Sequence, residues 1–195
     1  MGGLHPNSKR GQKVKTIQVE ITGVAPLLQH KFRTEEHGIN KTTAKKKIYD
    51  PNEEAEKACF REGKMIVHPT EHLFGALIRA AVSFKFEGKK TYKDIIKRGI
   101  IVEPINAPLL DKKGKQYKTW DEIDARRVVI QRSAVVRWRP MYHEGWRIPF
   151  SITIIDDESL SPPILKEILE KAGYVGIGDY RPRFGRFQVT KFKVD

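Results

Sequence analysis

The residues best suited to binding chemistry lie together at positions 173–187. These fifteen residues include four glycines, three arginines and four aromatic residues. Glycine lets the backbone approach a ligand closely, arginine pairs with phosphate in a fixed fork, and aromatic rings stack on bases. The combination predicts a loop that binds a polyanion, most plausibly a nucleic-acid backbone. The alternative is a tight helix-to-strand turn whose arginines are only solvated.

Each residue type in this segment has a predicted role. The arginines are expected to contact phosphates and two aromatic residues to stack on bases. Core packing is the alternative for both phenylalanines, and we favour it for Phe187. The predicted phosphate ligands are Arg181, Arg183 and Arg186, the predicted stacking residues are Tyr180 and Phe184, and the loop glycines are Gly176, Gly178 and Gly185.

Basic residues elsewhere in the chain extend the predicted surface. Arg137 and Arg139 are two residues apart on a strand pattern, so they project to one face. If Val136 and Trp138 face the core, these two arginines face the open side. The other predicted contacts are Arg79 on a helix, the neighbouring Arg126, Arg127 and Arg132, and Lys45, Lys46 and Lys47 in a basic run, for which a solvated surface is an equal alternative.

Metal and cofactor chemistry is not expected. His68 and His72 are four residues apart, a spacing that metal ligands use on a helix, but Pro69 lies between them and should place His68 before the helix. The chain has a single cysteine and no Gly-Lys-Ser/Thr phosphate loop. The acidic pairs Asp156-Asp157 and Asp121-Glu122 are interpreted as caps and turns. We predict neither a metal nor a cofactor.

Composition points to an acidic partner. Thirty-seven Lys and Arg residues against 24 Asp and Glu residues leave a formal net charge of +13. Such a balance favours nucleic acid or an anionic surface. No apolar run approaches the ~20 residues of a membrane span, so no membrane partner is expected. The lone cysteine excludes an internal disulfide and suggests a reducing, cytoplasmic setting.

Hydrophobic periodicity predicts the elements that would position these residues. Residues 16–21 alternate as a half-buried strand, and residues 146–154 give the clearest alternation in the chain. Residues 126–140 are also strand-like, and with 146–154 they predict a hairpin. Apolar stripes predict one helix from Thr70, its N-cap, and another from Ser161 to Gly173. A last strand over 187–194 shows a slip in its alternation, which predicts a bulge or an edge position.

The order of these elements predicts the fold class. Strand, helix, two strands, helix and strand make an α+β, ferredoxin-like or RRM-like β-α-β-β-α-β core, whose open sheet face commonly carries single-stranded nucleic acid. We predict one such domain over residues 16–195, with insertions at 31–64 and 100–125, after a basic mobile tail at 1–15. Short helices are expected at 53–61 and 92–98, and a strand at 64–69.

Two segments resemble the RAMP superfamily of CRISPR-associated proteins. They are residues 68–79, at the start of the first helix, and the glycine loop at 176–187. The nearest branch is the backbone subunit that polymerises along the guide RNA of effector complexes. The resemblance implies the β-α-β-β-α-β core, insertions that touch guide and target, and a basic residue at Arg79 near the guide backbone. It covers about two-thirds of the chain.

Charge and resemblance together predict a non-enzymatic protein that binds single-stranded RNA or DNA without sequence preference. The resemblance implies head-to-tail homo-oligomers along the strand, within a larger ribonucleoprotein. One alternative is a RAMP-type endoribonuclease that uses a loop histidine, with His30, His37 and His143 as candidates. Another is a viral structural or assembly protein whose basic surface contacts nucleic acid. Asp50 lies in the first insertion and receives no role.

Overall fold

The computed structural model describes residues 14–32, 50–130 and 133–195. Residues 1–13 of the predicted tail, the lysines at 45–47, His37 and Arg132 lie outside these ranges, and Lys15, the last residue of the predicted tail, already belongs to a strand. The strands are β1 (Lys15–Gly23), β2 (Leu27–Leu28), β3 (Arg61–Glu62), β4 (Met65–Pro69), β5 (Ile100–Glu103), β6 (Asn106–Pro108), β7 (Glu122–Ile130), β8 (Ser133–Tyr142), β9 (Arg147–Ile154) and β10 (Phe187–Val194), and the helices are α1 (Pro51–Ala58), α2 (Thr70–Ala81), α3 (Lys93–Gly99) and α4 (Pro162–Val175).

The main sheet has four antiparallel strands in the order β10-β1-β9-β5. With the two helices that pack on it, its elements follow the chain as β1, α2, β5, β9, α4 and β10. This is the β-α-β-β-α-β order of a ferredoxin-like core, with the first and third strands at the centre. The predicted α+β fold class is confirmed.

The core lies between this sheet and the helices α2 and α4. Every second residue of β1 and β9 is buried, because side chains alternate between the two faces of a strand. The helices contribute stripes of apolar residues at helical spacing. The fully or almost fully buried set includes Ile17, Val19 and Ile21 from β1, Ile148, Phe150, Ile152 and Ile154 from β9, Leu73, Leu77 and Ala80 from α2, and Leu165, Ile168, Leu169 and Ala172 from α4.

The predicted hairpin between residues 126–140 and 146–154 is wrong. β8 pairs with β7 and β2, whereas β9 pairs with β1 and β5 in the main sheet. Gly145, with φ of +92°, lies in the turn between the two segments, but that turn joins strands of two different sheets. Both strands alternate, and alternation alone does not identify the partner of a strand.

The second interruption of the core differs from the predicted insertion at 100–125. Residues Ile100–Glu103 form β5, which is the second core strand, and β7 already begins at Glu122. The core is therefore interrupted by residues 104–146, between β5 and β9. The first interruption separates β1 from α2 and contains β2, α1, β3 and β4.

Helix ends follow the sequence with two corrections. Pro69, and not Thr70, is the N-cap of α2, because the Thr70 hydroxyl donates to the Pro104 carbonyl at 2.7 Å instead of capping the helix. α4 begins after Ser161 as predicted but continues past Gly173 to Val175. A Cβ at Gly173 would lie 2.2 Å from the Phe187 carbonyl oxygen. This glycine thus allows α4 to pack closely on β10.

The final strand behaves as its pattern predicts. β10 is an edge strand of the main sheet, and its register against β1 shifts between Glu20 and Ile21. Glu20 is opposite Lys191, but Ile21 is opposite Val189, so one residue of β10 is left over. This bulge allows Val189 and Phe192 to face the same side of the sheet.

Candidate functional site

The glycine loop after α4 is held by contacts with its own chain. Gly178 has φ of +74°, and a Cβ there would lie 2.4 Å from the Leu28 carbonyl oxygen. Gly185 has φ of +70°, and a Cβ there would lie 1.8 Å from the Ile177 carbonyl oxygen. The Asp179 N–H donates to the Leu28 carbonyl at 2.9 Å. The close approaches of these glycines, and of Gly176 to Phe184, are therefore to backbone of the same chain. They fix the position of the arginines that follow.

Arg181 is the loop arginine that comes near a second basic residue. Its guanidinium is partly buried, and this burial, followed by the positive charge of Arg79 on α2, lowers its pKa. No ion pair or hydrogen bond joins either side chain to another described residue. Asp179 is the acid that partly offsets the repulsion. Two guanidinium groups thus lie within electrostatic range of each other, and neither forms an ion pair with a carboxylate of the described residues.

One side of α2 carries a stripe of residues near Arg181. His72, Gly75 and Arg79 are spaced three and four residues apart, so they lie on one side of the helix. A Cβ at Gly75 would meet no atom within 4 Å, and His72 is partly exposed while Arg79 is exposed. Because Arg181 influences both His72 and Arg79 electrostatically, it lies alongside this stripe. We call His72, Gly75, Arg79 and Arg181 the α2 groove.

The prediction that Arg137 and Arg139 face an open surface is wrong. Arg139 is only 5% exposed, and its Nε lies 2.7 Å from the Asp179 carboxylate of the glycine loop. The Arg137 side chain lies 3.9 Å from Glu54 of α1, whereas Val136 is 44% exposed. The loop and α1 cover this face of β8, so Arg139 is a structural partner of the loop and Arg137 is a structural partner of α1.

Two predicted stacking residues take part in the same buried contact. The Phe184 ring is 7% exposed and lies 4.6 Å from the Arg126 guanidinium carbon. The Tyr180 ring lies 5.4 Å from Arg126 and 5.1 Å from Arg139. Cation–π contacts of this kind hold the β7–β8 hairpin against the loop. Phe184 is therefore a packing residue, while Tyr180, at 36% exposure, keeps part of its ring accessible.

The remaining loop residues divide between surface and core. Arg183 and Arg186 are exposed, and no ion pair to a described residue occupies either side chain. Phe187 is 4% exposed and belongs to the core, as predicted. Arg127 on β7 is also exposed. Four of the predicted binding residues thus lie on accessible surface, namely Arg79, Arg181, Arg183 and Arg186. Three others are covered by neighbouring residues, namely Arg137, Arg139 and Phe184.

A buried chain of polar groups leads to the α2 groove, and the sequence did not reveal it. The buried side-chain amide of Gln29 contacts β4. Its Nε2 lies 2.7 Å from the Val67 carbonyl and 3.3 Å from Nδ1 of His68. Nε2 of His68 then lies 3.1 Å from Nδ1 of His72. His68 is completely buried and belongs to β4, as its place before Pro69 predicts. The two histidines, four residues apart, are therefore joined by a hydrogen bond although only His72 lies on the helix.

Both histidines are neutral at pH 7. Burial first, and then electrostatic interactions with the His72 ring and with Arg181, lower the pKa of His68 well below its usual value. Burial and the positive charge of Arg181 lower the pKa of His72, against the opposing charges of Glu71 and Asp179. The His72 side chain of the α2 groove is therefore an uncharged imidazole.

The buried histidine predicts a pH-dependent stability. Since the pKa of His68 is lower in the folded state, the unfolded chain binds more protons below pH ~6.5, and stability falls as the pH falls. In the unchanged protein, this effect lowers the free energy of unfolding by up to ~1.4 kcal/mol for each pH unit below about 6.5. We expect His68→Leu to abolish this contribution. Urea unfolding of both proteins at pH 7.5 and 5.0 measures the difference, and equal losses for the two proteins would contradict it.

The open face of the main sheet does not offer the stacking platform that an RRM-like fold suggests. The positions that alternate with the buried ones carry no aromatic residue in these four described strands. Two of them form an ion pair, in which Arg147 donates to Glu20 at 2.7 Å. The exposed cations of the α2 groove and loop are therefore a better candidate than this face. The positions concerned include Thr16, Gln18, Glu20, Thr22, Glu103, Arg147, Pro149, Ser151, Thr153, Lys191 and Lys193.

Of the two acidic pairs, Asp156 makes the predicted turn contact, whereas Asp121 binds a residue 22 positions along the chain and Glu122 lies in β7. Asp156 accepts from the Ser159 N–H at 3.1 Å, and Asp121 accepts from the His143 N–H at 2.8 Å. Asp50 caps α1 by accepting from the Asn52 N–H at 2.7 Å. His143, one of the candidate loop histidines, lies 3.3 Å from Glu122. Within the described ranges, no three His, Cys, Asp or Glu side chains are arranged to hold a metal ion.

Comparisons with known proteins bear on the fold. No family model matches the chain, and no curated protein matches it. A solved structure described as "Cryo-EM structure of the Type III-B Cmr-beta bound to cognate target RNA" contains a similar chain, with a TM-score of 0.52 and 9% sequence identity. The match covers 93% of this chain and 60% of that one, so this chain spans less than two-thirds of its neighbour. At this identity the similarity shows the fold alone.

In the described part of the chain, no helix combines the length and apolar character needed to cross a bilayer.

Proposed function

We propose that this chain binds the backbone of single-stranded RNA in the α2 groove, without sequence preference and without catalysis. The observation that carries the proposal is the pair Arg79 and Arg181, two nearby guanidinium groups with no ion pair to a described residue. A phosphodiester would relieve their repulsion and accept several of their hydrogen bonds. Arg183 and Arg186, from the same loop, extend the path of the strand.

Electrostatics supports a polymeric ligand over a small anion. The net charge of +13 produces a long-range attraction for a polyanion, and the exposed loop arginines continue from the groove. Contacts to phosphates carry no sequence information, so binding of this kind is independent of sequence. The partly exposed Tyr180 offers one stacking face beside the path.

The fold neighbour supports the choice of RNA. It comes from a complex whose description names a bound target RNA and a Type III-B CRISPR system. Together with the core order and the glycine loop, this supports a RAMP-like subunit within a cytoplasmic ribonucleoprotein. We further propose that copies assemble head to tail along the strand, because one small domain covers only a few nucleotides.

Electron microscopy tests the assembly. The purified protein would be passed through a sizing column and imaged after negative staining, with and without a long single-stranded RNA, at low and high salt. We expect filaments that need the strand and dissolve in salt. If monomers bind the strand singly, the head-to-tail assembly is wrong but RNA binding in the α2 groove still stands. If monomers do not bind the strand, both proposals are wrong.

A substitution at Gly75 tests the groove without changing charge. Since there is open space at this position, Gly75→Leu should fold and gain up to ~1 kcal/mol of helix stability. Its side chain would nevertheless stand between His72 and Arg79, where the phosphodiester must approach. We expect at least tenfold weaker RNA binding by fluorescence anisotropy, an effect of about 1.4 kcal/mol.

Gly88→Ala provides a matched control for Gly75→Leu, since it also fills open space but lies outside α2. It should bind RNA as the unchanged protein does. Full RNA affinity in a folded Gly75→Leu protein would place the strand elsewhere.

A further inference from the structure

The orientation of the buried Gln29 amide is determined by two backbone groups. Its Oε1 lies 3.1 Å from the Phe60 N–H, which can only donate. Its Nε2 lies 2.7 Å from the Val67 carbonyl, which can only accept. Both contacts require the same orientation of the amide, so Nε2 is the group that faces His68. The Tyr142 hydroxyl, 3.3 Å from Oε1, agrees with it as a donor.

This orientation determines the tautomer of His68. An amide N–H₂ can only donate, so Nδ1 of His68 must accept from Gln29 and carries no proton. The ring is fully buried and neutral, and its proton is therefore on Nε2. That proton points at Nδ1 of His72, 3.1 Å away, which must accept it.

The same reasoning then determines the tautomer of His72. Since Nδ1 accepts from His68, the proton of the neutral ring is on Nε2. No described residue hydrogen-bonds to this Nε2. Nor does it belong to the buried side-chain nitrogens and oxygens that make no hydrogen bond, which among the described residues are Nε and Nη1 of Arg139. Nε2–H of His72 is therefore a donor that reaches solvent, on the stripe that also carries Arg79 and beside Arg181.

We infer that Nε2–H of His72 is a third, uncharged hydrogen-bond donor to the phosphodiester in the α2 groove, held in that role by the Gln29–His68 chain. The inference rests on the proposed function and adds a residue to it. His72 is thereby a binding residue, while Gln29 and His68 are positioning residues. Since Nε2 has no free lone pair, this histidine cannot remove a proton from a ribose hydroxyl, which disfavours ribonuclease chemistry in the groove.

Nitrogen NMR tests the tautomer directly and without RNA. Long-range proton–nitrogen spectra of the protein with ¹⁵N-labelled histidine separate protonated from unprotonated ring nitrogens, and the signals lost in His72→Gln assign His72. We expect an unprotonated Nδ1 and a protonated Nε2 at pH 7.5. A proton on Nδ1, or a ring that titrates as a free histidine near pH 6.5, would overturn the inference.

Two variants test the donor in RNA binding. His72→Phe removes the N–H and should weaken binding of a single-stranded RNA about tenfold, because a hydrogen bond to a charged oxygen is lost. His72→Gln restores an N–H donor near the position of Nε2 and should recover most of that loss. Anisotropy titrations with a labelled RNA of mixed sequence measure both.

The pH profile adds a readout that a merely structural role would not change. The charged groups around His72 are Arg181, Glu71 and Asp179, and its ring neighbour is His68. With a neutral donor, RNA affinity should be level between pH 8 and pH 6.5. A steep rise in affinity over that interval would mean that a cationic histidine binds the phosphate, and it would overturn the inference.

The outcomes also separate this inference from the proposed function. If the unchanged protein fails to bind single-stranded RNA, both are wrong. If it binds, and the folded His72→Phe protein binds equally well, only the third donor is wrong.

Discussion

Replacing Arg79 and Arg181 together with glutamine should reduce the affinity for single-stranded RNA about 100-fold. Each guanidinium is expected to make a charge-assisted hydrogen bond to a phosphate, worth about 1.5 kcal/mol, and two such losses sum to about 3 kcal/mol. Stability should hardly change or should rise slightly, because the two groups repel each other in the unbound protein. Anisotropy at constant salt measures the affinity, and thermal unfolding measures the stability.

The matched control removes the same charge from another place. Arg98 on α3 and Lys166 on α4 are exposed and make only surface ion pairs, with Asp156 and Glu170. Arg98→Gln combined with Lys166→Gln also lowers the net charge by two. If this control loses as much affinity as the groove variant, binding depends on total charge and the α2 groove is not the site.

Gly185→Ala should produce the largest loss of stability among the glycine loop substitutions. Its φ of +70° disfavours any side chain, at about 1 kcal/mol or more. The new Cβ would also lie 1.8 Å from the Ile177 carbonyl oxygen, so the backbone must move, at about 1–3 kcal/mol. We expect a total near 3 kcal/mol, which is a decrease in Tm of roughly 6–12 °C.

The control for Gly185 is a glycine with similar backbone but no neighbours. Gly88 has φ of +55°, and a Cβ there would contact nothing within 4 Å. Gly88→Ala should cost only about 1 kcal/mol, the backbone part of the effect. Equal losses at the two positions, in calorimetry, would show that the loop is not packed as tightly on its own chain as described.

Local patterns were sufficient to predict every element of the core except β5. The alternation of β1 and β9 and the stripes of α2 and α4 are set by which residues face one buried layer, and such periods are readable without the structure. The order of these elements then limits the topology. Even the bulge of β10 was readable, since the slip between Val189 and Phe192 is visible in the residues themselves.

Strand partners could not be predicted in the same way. β5 has four residues, too few for a clear period, and it was therefore assigned to an insertion. The longer β8 alternates well, but it pairs with β7 and β2 outside the main sheet. Pairing depends on contacts between distant residues, so β8, which precedes β9 in the chain, need not be its partner in the sheet.

The binding residues were predicted in part for a related reason. A sequence shows that Arg139 and Phe184 are basic and aromatic, but burial beneath the loop makes them packing residues. Arg79 and Arg181 were named separately, and their proximity is a result of the fold. His72 was considered for a metal and not as a donor, because Gln29 and His68 reach it only in three dimensions.

The salt dependence of RNA binding tests the central claim most directly. For single strands, log K falls with log salt with a slope of about 0.7 for each phosphate contact. Because both arginines contact the same phosphodiester, we predict that the slope of the Arg79→Gln, Arg181→Gln protein is smaller than that of the unchanged protein by about 0.7, across RNAs of different sequence. An identical slope in the two proteins would contradict the assignment of these arginines to the phosphate backbone.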